Sequence, residues 1–122
     1  GIGAGVIPWF AVTYFKNLFG YDDSLDAFGV HGVGGMWGAI ATGIFATKSV
    51  NAAGADGLLY GNPMLLWIQI KAVLITVVYS FVMGLILLKA VDIVMKLRVS
   101  DHEERVGLDL TQHREAAYTL ID

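Results

Sequence analysis

Three observations predict an all-α integral membrane protein that ends in a polar tail. Hydrophobic residues make up 56% of the 122-residue chain and charged residues 16%, against ~45–50% and ~25% in ordinary soluble domains. Long stretches carry no formal charge, and the charge that exists gathers near the C-terminus. A soluble domain of this size would need more polar surface to cover a core. A membrane-embedded chain accommodates the composition directly. The formal net charge of −3 is small and no basic patch appears, so nucleic acid is not an expected partner. The absence of cysteine excludes disulfides and thiolate metal sites and leaves the compartment open on that ground. The chain has no initiator Met, and GIGAGVIPWF at its start is apolar without a basic leader. It reads as the C-terminal piece of something longer, not as a signal peptide.

The transmembrane region is expected over residues 1–95, with helices at about 1–16, 27–47 and 64–90. Gly1 to Phe15 lacks charge and stops at Lys16. It is short of the ~20 residues a spanning helix needs, so it reads as the end of a helix. In the connector KNLFGYDDSLD, Asn17, Gly20 and the Asp22-Asp23-Ser24 cluster are turn and cap residues. No Asp, Glu, Lys or Arg lies between Asp26 and Lys48, which defines the second span. KSVNAAGADGLLYGNP is a loop by composition. Pro63 suits the start of the third span, where its missing N–H costs nothing.

Residues 96–122 form a charged tail. Its isolated apolar positions, among them Val99, Val106, Leu108 and Leu110, suit either a solvated tail or one that packs on a partner. Ser100 and Glu103 have the S-x-x-E form of a capping box, with a stop at Gly107. Asp109 and Thr111 are candidate caps of a second short helix through Tyr118. Lys89, Lys96, Arg98 and Arg105 lie on the tail side, against Lys48 in the middle loop. That bias puts the tail in the cytoplasm of a multi-pass cell-membrane protein.

The second span holds Gly29, Gly32, Gly34, Gly35, Gly38 and Gly43. In water such a helix is poor, at up to ~1 kcal/mol per Gly; in a membrane the same residues let helices approach closely. Gly34-x-x-x-Gly38 and Gly35-x-x-x-Ala39-x-x-x-Gly43 give two small-residue faces. Within this run stands His31. An intramembrane ionisable residue is a functional candidate by default. Two other readings stay open: an imidazole bonded to a backbone carbonyl for packing, and an interfacial histidine, since five residues beyond Asp26 is only ~7–8 Å of depth. Lys71 reads as a lysine snorkelling to the outer interface, and Trp67 and Tyr60 as aromatic-belt residues. A dinucleotide site is not supported, because Trp37 stands where the last Gly of G-x-G-x-x-G belongs.

DDSLDAFGVHGVGGMWGAIATGIFA resembles the late-helix signature of the ammonium transporter (Amt/Mep/Rh) family. LRVSDHEERVGLDLTQHREAAY resembles the family's C-terminal pattern, typically L-R-V-x-x-E-x-E-x-x-G-L-D-x-x-x-H-G-E-x-A-Y. The resemblance covers nearly the whole chain. It implies the last three of eleven membrane helices in each subunit of a homotrimer, plus a regulatory tail. By resemblance His31 matches the second histidine of the family's mid-pore pair, and Asp26 a pore-adjacent aspartate; Asp26 reads equally as a helix cap. Arg98, Glu104, Gly107, Asp109, His113 and Tyr118 fall on tail positions. Thr111 is a helix cap in preference to a phosphorylation site. Arg114 departs from the pattern, occupying a place usually held by Gly, and would be strained at positive φ.

The implied activity is nitrogen uptake by transport, with no enzyme chemistry, cofactor or metal. Ammonium is deprotonated in a hydrophobic pore, the histidine pair relays the proton, and the tail regulates gating. A PII-type signal protein is the implied partner at the cytoplasmic face. The alternatives are an ammonium-sensing member of the family and a membrane packing subunit without a pore.

Overall fold

The computed structural model describes residues 1–116, and the secondary structure among them is helical, with no strand. Two units are described separately: residues 1–80 and residues 81–122.

The first unit opens with α1 (Ile2–Phe10), which passes through a π-helical turn, Ala11–Phe15, into α2 (Lys16–Phe19). Pro8 lies inside α1 and brings no N–H, which removes one helical bond. Just beyond it, the Ala11 N–H is shared between the carbonyls of Ile7 and Pro8, and the wider turn begins. Gly20 at φ +61° ends α2, its N–H bonded to the Lys16 carbonyl at 2.9 Å, a left-handed cap that glycine adopts without a Cβ penalty. The second helical segment starts with a π-helical turn, Phe28–Gly32, and continues as α3 (Val33–Phe45). The loop that follows closes on itself. The Gly57 N–H donates to the Ala46 carbonyl at 2.8 Å and the Lys48 N–H to Asp56 Oδ1 at 2.8 Å. A 3-10 turn, Leu58–Tyr60, leads to α4 (Pro63–Val94).

Among the described residues, α4 alone is an unbroken helix long and apolar enough to cross a membrane by length and composition. Its 32 residues would extend ~48 Å, beyond a ~30 Å hydrocarbon layer. The first two expected spans are instead composites of α-helix and π-helical turn. Periodicity did not reveal the breaks, because both helix types keep right-handed helical dihedrals and differ only in which carbonyl each N–H reaches.

Among the described residues the buried positions are all small: Pro8, Ala11, Gly29, Gly43 and Gly57. Large apolar side chains such as Phe10, Phe15, Ile75 and Phe81 are exposed. The helices therefore touch through small residues, as packing between helices in lipid requires. A Cβ on Gly43 would lie 2.8 Å from the Leu66 Cα, so α3 meets the start of α4 backbone to backbone. A Cβ on Gly29 would lie 2.7 Å from Val12 Cγ2. Gly35 and Gly38 meet nothing within 4 Å. Each of the two small-residue faces is thus packed at one glycine and open at another: Gly34 meets Pro8 and Gly43 meets Leu66, while Gly38 and Gly35 are open.

In the second unit the Leu97 N–H donates to Asp92 Oδ1 at 3.1 Å. α5 (Asp101–Val106) follows, then a π-helical turn, Asp109–His113.

Gly43→Ala tests the α3–α4 contact. The added methyl meets a backbone atom that rotamer changes cannot move. Thermal melting of the full-length protein in detergent is expected to show a loss of about 1–3 kcal/mol. An unchanged melt would place the contact elsewhere.

Candidate functional site

His31 lies in the π-helical turn Phe28–Gly32, a backbone form that recurs at functional sites. Its ring is exposed and makes no hydrogen bond or ion pair among the described residues. A packing imidazole tied to a nearby carbonyl has no such partner there. Gly35, Gly38 and Thr42 follow at helical spacing and are exposed too, so the four share one face. The Thr42 hydroxyl donates to the Gly38 carbonyl at 3.0 Å, satisfying its donor within the helix. The face thus offers one imidazole, two positions without side chains and one hydroxyl.

The connector beneath this turn is built by charge. Asp23, not Asp26, caps the second helical segment: its carboxylate accepts the N–H groups of Ala27 and Phe28, both at 2.9 Å. Asp26 adopts φ +55°, a left-handed conformation that Asp tolerates better than most residues. Its carboxylate is paired with Lys16 at 2.6 Å, and Lys16 Nζ also donates to the Asp23 carbonyl at 2.6 Å. The reading of Asp26 as a helix cap is therefore corrected. The two candidate pore residues are set apart: Asp26 is committed to Lys16, and His31 stands on the open face. Asp23 stood in the expected cluster of turn and cap residues, and sequence reasoning missed Lys16. The available signal was a lysine closing an uncharged run, with carboxylates at the seventh and tenth positions after it.

Lys71 sits on α4 one turn after Trp67, its Nζ 5.8 Å from the ring centroid. This cation–π contact suits a snorkelling lysine.

In the tail, Ser100 and Glu103 form the expected capping box. The Glu103 N–H donates to Ser100 Oγ at 3.3 Å and the Ser100 N–H to Glu103 Oε2 at 3.0 Å. Gln112 Nε2 donates to Glu103 Oε1 at 3.2 Å, tying α5 to the next turn. Glu103 is thus the hub of the described part of the tail. Hydrogen bonds from the Ser100 N–H and hydroxyl, and then from Gln112, hold the Glu103 carboxyl below its usual value of 4.5. Arg98 pairs with Glu104 at 3.3 Å, both side chains well exposed, an arrangement of small energetic worth. Gly107 takes φ +108°, and a Cβ there would lie 2.6 Å from Asp109 Oδ1.

Asp109 and Thr111 do not cap a helix here. The N-cap of the last turn is Leu108, without a side-chain cap. Thr111 lies inside the turn and its hydroxyl donates to the Gly107 carbonyl at 2.9 Å. His113 ends the turn, and Arg114 follows at φ +56°, the strained conformation expected where glycine is usual. Tyr118 lies outside the described residues.

Comparison with known proteins places these features in context. Residues 1–118 match the model of the Ammonium Transporter Family. An ammonium transporter of Bacillus subtilis is 52% identical over 118 residues, 97% of this chain and 29% of that protein. Ammonium transporter Amt1 of Archaeoglobus fulgidus is 51% identical over 119 residues, 98% of this chain and 30% of that protein. An Aquifex aeolicus ammonium transporter is 47% identical over 120 residues, 98% of this chain and 28% of that protein. The chain thus spans under a third of the length of these relatives.

Two measurements test the tail. The depressed Glu103 pKa stabilises the tail fully above the usual carboxyl value, and that stability is lost as pH falls through the lower folded value. Circular dichroism of a peptide spanning 96–122 is expected to show helix loss below about pH 4.5, with a smaller step in Glu103→Gln; identical titrations would remove Glu103 from the hub. Arg114→Gly relieves a left-handed residue at a cost of about 1–2 kcal/mol. Slower amide exchange across 109–115 in full-length protein is the expected result for Arg114→Gly, and no slowing for Arg114→Ala.

Proposed function

Because this chain belongs to the ammonium transporter family, we propose that it forms the last three helices and cytoplasmic tail of an eleven-helix subunit that carries ammonium across the membrane. The observation that carries the reading is the open face of His31, Gly35, Gly38 and Thr42. A histidine facing lipid is costly, and the two glycines on its face leave room beside it. Such a face suits the wall of a narrow conduit completed by other helices.

The chemistry follows from desolvation. A bare ammonium ion in a dry conduit loses its hydration at great cost. Neutral ammonia crosses far more easily, so a proton acceptor at the entrance to the dry region lowers the barrier. Imidazole suits the role, with an unperturbed pKa of ~6.5 and two ring nitrogens that each donate or accept. His31 would take the proton with a second imidazole from an earlier helix and pass it along, while ammonia follows the glycine-lined wall. Asp26, held by Lys16, sets the inner end of this helix instead of offering a free carboxylate to the ion.

The transmembrane region is proposed as residues 1–95 and the tail as 96–122, on the cytoplasmic side by the Lys and Arg bias. Arg98, Glu104, Gly107, Asp109, Thr111, His113 and Tyr118 are proposed to carry gating within a homotrimer. A PII-type signal protein is the proposed partner at that face. The ordered Ser100–Glu103–Gln112 contacts support a tail with a defined shape to recognise.

His31→Ala in the full-length transporter, reconstituted in proteoliposomes, tests the reading. Ammonium-evoked current or the preference for ammonium over potassium is expected to fall by about 10²-fold or more, the low end of what a positioned proton acceptor contributes, with the trimer intact by size. Unchanged current and unchanged selectivity would remove His31 from the transport path.

A further inference from the structure

We infer that Lys16 is a positioning residue for transport, fixing the helical register that presents His31. The inference rests on the reading of His31 as a transport residue. Lys16 Nζ bridges the Asp26 carboxylate and the Asp23 carbonyl, each at 2.6 Å. Both acceptors belong to residues that start the second helical segment. The Asp23 carboxylate holds the N–H groups of Ala27 and Phe28. The Asp26 carbonyl accepts the Val30 N–H at 2.8 Å, one residue before His31. One ammonium group thus pins the cap and the residue whose carbonyl anchors the first turn.

Asp26 keeps φ +55°, a conformation that costs even a tolerant residue some strain and that its surroundings help to hold. Lys16 is the partner of its carboxylate. The pair is partly shielded, with the side chains 27% and 34% exposed, so it is screened less than an open surface pair. Without it Asp26 is free to relax to an ordinary helical conformation, and the helix can begin elsewhere. A slip of the chain by one residue along the same helical path turns each later side chain by about 100°. That rotation would carry His31 off the face it shares with Gly35, Gly38 and Thr42. The π-helical turn makes the register sensitive, since the segment already holds one residue more per turn than an α-helix would.

Full-length transporter carrying Lys16→Met, Lys16→Arg, His31→Ala and the Lys16→Met/His31→Ala double change tests this in proteoliposomes, read as ammonium-evoked current and ammonium-over-potassium selectivity. Lys16→Met is expected to lose about 10- to 100-fold, as a misplacement near 1 Å does elsewhere. Lys16→Arg is expected to retain most of the function. The double variant is expected to be no worse than His31→Ala alone, because Lys16 acts through His31. Wild-type behaviour of Lys16→Met beside an impaired His31→Ala overturns this inference and leaves the function standing; independent, multiplying losses in the double variant also overturn it. An unaltered His31→Ala instead overturns the functional reading, and this inference with it. If Lys16→Met does not assemble, Asp26→Asn breaks the same ion pair with an isosteric group: an equal loss supports the inference and full activity overturns it.

Discussion

The connector between the first two helical segments hangs on one ammonium group. Lys16 joins the end of the first segment to two residues that begin the second. The cap at Asp23, the left-handed Asp26 and the π-helical turn around His31 form one local unit. Backbone groups within a membrane must find partners inside the protein, and here side-chain charge supplies part of that pairing at the helix start. An ion pair in this place is a geometric device more than a source of stability, since holding and partly desolvating two charges offsets much of their attraction.

The second constraint is the lack of a core. Buried positions in the described residues are limited to proline, alanine and glycine, and the large apolar side chains lie outside. A membrane protein can be built this way, because lipid provides no drive to bury leucine and helices associate by close contact instead. The Gly43–Leu66 approach is such a contact within the chain. The face through Gly35 and Gly38 has no counterpart among the described residues. Packing and the open face draw on different glycines: Gly29 and Gly43 admit a neighbour, while Gly35 and Gly38 leave space on the side of His31.

Local chemistry was legible in the sequence and competition between similar groups was not. The Ser100–Glu103 capping box and the stop at Gly107 follow from residue types at fixed spacing, and the strain at Arg114 from the glycine that the resemblance implies there. Asp22, Asp23, Ser24 and Asp26 offer nearly equal capping chemistry over five residues, and the choice of Asp23 depends on which carboxylate Lys16 reaches from the other side of the turn. The π-helical turns escaped because their signature is a hydrogen-bond register with no pattern of residue types. Thr111 carries a cap residue's hydroxyl, yet with Gly107 already turning the chain its nearest acceptor is the carbonyl four residues back. His31 was visible at once as the imidazole in an uncharged run; its freedom from local partners needed coordinates.

What covers the face of His31, Gly35, Gly38 and Thr42 in the whole transporter decides the account. A cryo-electron microscopy structure of the full-length protein in lipid, determined with methylammonium present, measures this directly. The account predicts a narrow lumen along that face, a second imidazole within hydrogen-bonding reach of His31, and no lipid density against the ring. Continuous acyl-chain density over the face, or apolar side chains packed solidly onto His31, would contradict it.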